Sequence, residues 1–206
     1  MFPLGSVLFP GMPLTLHVFE PRYRALMAAC VADADRGEPP EFGVVLIERG
    51  AEVGGGDQRF GVGTVARLTQ VAQLPDGRYA SVAIGTRRVV VRAWLPDDPY
   101  PRAEVDDMDD AWFDAALDSS LLERADREVR RCLALKAEMG EATFPAAIEL
   151  DEDPAAAAWQ LAAIAPLGEL DQLALLRSPS CTELLEMLSA LAEEEASVLA
   201  FRLGSN

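Results

Sequence analysis

The sequence predicts an α+β protein, with a small β-barrel over residues 1–108 and a helical bundle over residues 109–206. Three observations carry that reading. The first half holds many short β-rich runs separated by Gly and Pro turns, a pattern of small barrels rather than of doubly wound sheets. Beyond the acidic run Asp106-Asp107-Met108-Asp109-Asp110 no convincing strand follows, and apolar residues recur at helical spacing. The 206 residues, half of them hydrophobic and a quarter charged, are enough for one large soluble domain or two small ones.

The elements follow in order. After the turn Phe9-Pro10-Gly11-Met12-Pro13, residues Leu14, Leu16 and Val18 alternate with Thr15, His17 and Phe19, which predicts a two-faced strand. It stops at Glu20-Pro21. Proline suits the first position of the next helix, because its missing N–H would be unpaired there anyway. Tyr23, Leu26, Met27, Cys30 and Val31 form the apolar stripe of that helix, and Gly37 with Pro39-Pro40 ends it. Residues 42–47 are a continuous apolar run, short enough for a strand buried on both faces. Gly54-Gly55-Gly56-Asp57 reads as a flexible loop. Further strands are expected over 64–73, 78–84 and 87–94, with a hairpin turn at Asp76-Gly77 and a final edge strand over 102–105.

In the second half, residues 111–139 read as one long helix closed by Gly140, with Glu123–Arg127 and Asp126–Arg130 as i,i+4 pairs on its wet face. Asp153-Pro154 opens a helix that runs to Ile164, and a short helix covers 167–176. Ser180-Cys181-Thr182-Glu183 has capping-box spacing and opens a last helix with Leu185, Leu188, Ala192, Ala196, Leu199 and Leu203 on one face.

Charge narrows the function classes. There are 34 acidic against 18 basic side chains, a formal net charge of -16. Such a surface repels phosphate backbones and anionic lipid, so neither a broad nucleic-acid interface nor membrane binding is expected. No apolar run approaches ~20 residues and no signal peptide is visible. Cys30, Cys132 and Cys181 are odd in number and widely spaced. They read as reduced thiols of a cytoplasmic protein, without a disulfide framework or zinc site.

Catalytic motifs fail one by one. Gly54-Gly55-Gly56 is followed by Asp57, Gln58 and Arg59, where a phosphate cradle needs Lys and Ser or Thr. Lys136, the single lysine, sits in a charged helical segment, and no G-x-S-x-G elbow occurs. His17 is the single histidine, and the three cysteines fall in helical segments as buried thiols. The Asp106–Asp110 cluster lacks calcium-loop spacing. No catalytic residue, metal site or cofactor is expected.

The segment Phe9-Pro10-Gly11-Met12-Pro13-Leu14-Thr15-Leu16-His17-Val18-Phe19-Glu20-Pro21-Arg22-Tyr23 resembles the opening of the LON substrate-binding domain, the N-terminal domain of Lon-type ATP-dependent proteases. The resemblance continues through Phe42-Gly43-Val44-Val45-Leu46-Ile47, Glu52-Val53-Gly54-Gly55, Gly63-Thr64-Val65-Ala66 and Leu74-Pro75-Asp76-Gly77-Arg78. It extends to Gly85-Thr86-Arg87-Arg88-Val89, where family members often have an aromatic residue at the position of Val89. Pro99-Tyr100, Ala103-Glu104-Val105, Asp153-Pro154, Trp159-Gln160-Leu161-Ala162 and Gln172-Leu173-Ala174-Leu175-Leu176 complete an ordered set over most of the chain. Family members usually carry a few more strand residues before the equivalent of Phe2-Pro3-Leu4.

The resemblance implies a PUA-like β pseudo-barrel followed by helices, as a stand-alone member without ATPase or peptidase motifs. It implies a non-catalytic module that recognises exposed apolar segments of unfolded or tagged polypeptides, as an adaptor or accessory of proteolysis with a protease as second partner. The candidate substrate-binding residues are Phe19, Glu20, Arg22, Tyr23, Phe42, Phe60 and Arg88, with Phe9 and Met12 as further apolar residues near strand ends. For Glu20, Arg22 and Tyr23 two readings stand. In the favoured one Arg22 braces the strand-to-helix corner through a carboxylate; in the other the corner borders a ligand groove. Arg87 and Arg88 read as solvated strand residues or as binding residues. Two rival functions remain: a small-molecule sensor, and an RNA-binding module using Arg87, Arg88 and Arg92. An apolar groove favours polypeptide, a deep enclosed cavity a metabolite, and a basic groove RNA.

Overall fold

A computed structural model of the chain describes residues 1–108, 119–141, 144–145 and 147–204. The chain divides into two compact units, Met1–Asp109 and Asp110–Asn206. The first contains β1 (Phe2–Leu4), β2 (Pro13–Val18), α1 (Pro21–Asp35), β3 (Glu41–Arg49), β4 (Gln58–Gln73), β5 (Tyr79–Leu95) and β6 (Arg102–Asp107). They form one six-stranded sheet in the order β1-β3-β4-β5-β2, with β6 also paired to β5. β1 runs parallel to β3 and every other pairing is antiparallel. The sheet curls into a half-barrel whose two end strands, β1 and β2, line one cleft without pairing to each other.

The strand periodicity places the core. Leu16 and Val18 of β2 point inward while Thr15 and His17 are exposed. They meet Phe2, Leu4, Phe42, Val44, Ala66, Leu68 and Ala83 from the sheet and Tyr23, Leu26, Met27 and Cys30 from α1 in one cluster. Phe2 stacks on Tyr23 with ring centroids 4.2 Å apart. Full burial of side chains of this size stabilises by about 1.5–3 kcal/mol each before entropy is counted.

The expected strands 78–84 and 87–94 are one continuous strand, β5, and β4 begins at Gln58 rather than near Thr64. Gly85 explains the misreading. It does not end the strand; it lets the turn before β2 cross it, since a Cβ there would lie 2.3 Å from the Phe9 carbonyl oxygen. Gly11 donates to the Gly85 carbonyl and Gly85 donates to the Met12 carbonyl, which anchors the entry to β2.

The second unit is helical. α2 (Ser119–Glu138), α3 (Pro154–Ile164), α4 (Glu169–Leu176) and α5 (Cys181–Gly204) bury Val129, Cys132, Leu133, Leu161, Leu175, Leu184, Leu185 and Leu188, with α2 packed along α5. Residues 111–118 of the expected long helix, and Asp109 and Asp110, lie outside the described residues. Asp153 caps α3 by accepting from the Ala156 N–H at 3.3 Å, and Ser180 caps α5 by accepting from Glu183 at 3.2 Å. The Asp126–Arg130 pair forms at 2.7 Å, whereas Arg127 turns to Glu128. Among the described residues no helix is long and apolar enough to cross a membrane.

Candidate functional site

The cleft between the two end strands has a volume of about 180 Å³. Phe2 and Leu4 of β1 form one wall, and the consecutive residues Thr15, Leu16, His17, Val18 and Phe19 form the other. Glu20 and Tyr23 close one end, and Glu52 and Val53 from the β3–β4 connection hang over the mouth. Five consecutive residues cannot all present side chains to one side of a strand, so part of this wall is the backbone edge of β2. Phe19 and Val53 are 53% and 57% exposed and add apolar surface at the rim.

The corner that follows β2 is braced by charge. Arg22 sits one residue into α1, behind Pro21. Its Nε lies 3.3 Å from a Glu20 carboxylate oxygen, in an ion pair too poorly directed to count as a hydrogen bond. Its Nη1 lies 4.0 Å from Asp57, its Nη2 donates to the Glu52 carbonyl at 3.3 Å, and its guanidinium rests 4.4 Å over the Tyr23 ring. Asp57, with a side chain only 1% exposed, is held by Arg59, which also pairs with Asp97 at 3.2 Å and lies over Trp94. Burial pushes the Asp57 carboxyl up, but the bonds from Arg59 and its own backbone outweigh this and leave it below the usual carboxylate range. Burial pushes the Tyr23 phenol up to about 12 against the opposing charge of Arg22.

The same residues fasten the β3–β4 connection over the cleft. Gly54 donates to Glu20 at 3.3 Å and Gly5, just past β1, donates to Glu52 at 2.5 Å. Gly54, Gly55 and Gly56 all have positive φ, a conformation costly for other residues, which is why the loop is glycine-rich.

Of the residues singled out from the sequence, Phe19, Glu20 and Tyr23 come together at this cleft, with Arg22 bracing it from behind. Phe42 and Phe9 do not line it and sit in the core, 4% and 1% exposed. Phe60 is half-buried in β4, away from the cleft, and Met12 packs partly buried against the core. Arg88 is neither solvated nor part of the cleft: it is 1% exposed on a stretch of β5 where Val89 is buried as well. Arg87 binds Glu41 at 2.7 Å and Asp107 at 2.9 Å, and Arg92 binds Asp106. Arg87 and Arg92 are thus each offset by a neighbouring carboxylate, which weakens the basic patch that RNA binding would use. Glu52, Val53, Asp57 and Arg59 were missed. The one signal for them was a bulky apolar residue, Val53, inside a glycine-rich loop.

Two larger hollows, of about 320 and 220 Å³, lie between α1 and the β4–β5 hairpin and share Val31, Asp35 and Val71. None of the candidate binding residues lines them. Cys30, Cys132 and Cys181 are free and buried, and burial pushes each thiol up to about 11.

The fold is thus an incompletely closed half-barrel with a cleft between its end strands, and a separate helical unit follows it in the chain. The family model described as the ATP-dependent protease La (LON) substrate-binding domain matches residues 1–194, and the chain belongs to that family. It is 28% identical over 198 residues to Lon protease 2 of Herpetosiphon aurantiacus, covering 95% of this chain and 23% of that protein. It is 27% identical over 204 residues to Lon protease of Escherichia coli, covering 97% and 25%. The chain thus spans about a quarter of the length of these relatives. Among solved structures, a Lon N-terminal domain protein from Xanthomonas campestris aligns with a TM-score of 0.60 at 27% identity, covering 92% of this chain and 95% of the other. The N-terminal domain of a Mycobacterium avium complex Lon protease has the same fold, with a TM-score of 0.60 at 20% identity over 93% and 97%.

Proposed function

We propose that the chain is a non-catalytic recognition module that binds exposed apolar segments of unfolded or tagged polypeptides in the cytoplasm and presents them to a protease as an adaptor or accessory. The carrying observation is the seam. Its walls are Phe2, Leu4, Leu16 and Val18, and Phe19 and Val53 stand exposed at its rim. Apolar surface framed by carboxylates suits a polypeptide and offers nothing to a phosphate backbone. The family's description as a substrate-binding domain supports the same reading.

The test is binding of a permanently unfolded client, reduced and carboxamidomethylated α-lactalbumin, followed by fluorescence anisotropy. A single module without the avidity of a multi-site assembly should bind with a dissociation constant of about 10–100 μM. Client and module are both acidic, so raising salt from about 50 to about 500 mM should not weaken the complex. Phe19→Ser and Val53→Ser should each weaken it severalfold with no change in stability. Tight binding untouched by either variant would assign recognition to another surface.

A further inference from the structure

We infer that the seam captures its polypeptide by strand addition: an extended segment pairs its backbone with the outer edge of β2, between β2 and β1. This inference rests on the reading of the chain as a polypeptide-binding module and specifies how that binding occurs.

The hydrogen-bond pattern assigns the free edge. Gly85 donates to the Met12 carbonyl opposite it, and the antiparallel register continues as Leu14↔Ala83, Leu16↔Ser81 and Val18↔Tyr79. In an antiparallel ladder only alternate residues bond to a given neighbour. Leu14, Leu16 and Val18 therefore face β5 with their N–H and C=O groups, and Pro13, Thr15 and His17 face outward. Pro13 fits this parity, since proline is tolerated in a strand where its N would face away from the ladder. β2 pairs with β5 and with no other strand among the described residues. Across the cleft, β1 is a poor alternative: it is three residues long and its central residue is Pro3, which has no N–H.

The occupant follows from this lining. Two open residues, Thr15 and His17, offer donors and acceptors in the spacing that any extended backbone matches, and apolar side chains of every second residue can lie in the cleft over Phe2, Leu4, Leu16 and Val18. The charged lining residues are Glu20 and Glu52, with no arginine or lysine in the wall, and the whole chain carries -16. The segment that fits is an extended, alternating apolar stretch with lysine or arginine on its outer face.

The experiment titrates the 15N-labelled full chain with an unstructured ten-residue peptide alternating valine and lysine, and reads amide hydrogen exchange. Strand addition predicts that the Thr15 and His17 amides gain at least tenfold protection while Leu14 and Leu16 stay as they were. His17→Pro removes an outward N–H and leaves the β5 ladder intact, so it should weaken the peptide at least fivefold with the melting temperature unchanged. A fully N-methylated version of the peptide, which leaves the protein untouched, should not bind. Binding of the valine–lysine peptide with Thr15 and His17 unprotected, or equal binding of its N-methylated form, overturns strand addition while sparing polypeptide recognition. Failure of both this peptide and the unfolded client to bind overturns the two together.

Discussion

Replacing Arg22 with Ala tests whether the corner of the cleft is braced or is itself the binding surface. Four contacts are lost, three of which carry the energy while the fourth, to Asp57 at 4.0 Å, is the longest. The hydrogen bond to the Glu52 carbonyl is worth about 1 kcal/mol. The cation over the Tyr23 ring is worth about 0.5–1 kcal/mol. The ion pair with Glu20, whose partners are 16% and 15% exposed, is worth about 0.5–1 kcal/mol. Together they set a loss of about 2–3 kcal/mol. It is not larger because Asp57 keeps Arg59 as its closer cation. Arg59→Ala strips that buried carboxylate of its main partner and should cost more, about 3–5 kcal/mol. Arg22→Lys should recover part of the loss, since an ammonium retains the charge but not the planar fork. The assay is urea unfolding of the wild type and the three variants at equal slope, beside client binding of each. Wild-type stability in Arg22→Ala together with lost binding would refute the bracing role and move Arg22 into the ligand site.

Tyr23→Phe should leave stability unchanged or raise it by up to about 1 kcal/mol, because the buried Tyr23 hydroxyl has no hydrogen-bond partner among the described residues while its ring packs on Phe2; calorimetry decides. Burial pushes the Glu41 and Asp57 carboxyls up, but arginine hydrogen bonds outweigh it and hold both below the usual carboxylate range. Their contribution is therefore complete above about pH 4.5 and lost as pH falls through the folded values; Asp57→Asn should flatten the acid limb of a stability-versus-pH curve. The three thiols, raised to about 11, contribute stability that is complete below about pH 9 and lost above it. At neutral pH they should label slowly with a thiol reagent in the native state and fast in denaturant, and rapid native labelling of Cys30 would contradict its burial.

Most of the fold was legible because periodicity follows local geometry. The two-faced strand 13–18, the Pro21 helix start and the caps at Asp153 and Ser180 each need only neighbours in sequence. Long-range contacts were less readable. Gly85 looked like a strand end because the carbonyl that requires it belongs to Phe9, far away in the chain. Arg88 read as solvated or as a binding residue because charge usually faces water or a ligand, and an arginine interrupts the apolar run that marks a strand buried on both faces. At the candidate cleft, the grouping of Phe19, Glu20 and Tyr23 was legible because they bound a visible strand-to-helix corner. Glu52, Val53 and Asp57 were not, because the β3–β4 connection reaches the cleft only once the sheet has curled.

The prolines of the two end strands, Pro3 in β1 and Pro13 in β2, also bear on how copies of the chain should treat one another in crowded solution. An open strand edge is a template for self-association, and its reach grows with the number of consecutive N–H groups on offer. Here the template stops after Thr15 and His17, too short for one molecule to zip onto the next, and every copy carries the same sign of charge. Pro13→Thr restores a third outward N–H, and light scattering on mild heating should rise earlier than in the wild type. The length of the edge is thus a compromise between gripping a foreign strand and refusing its own.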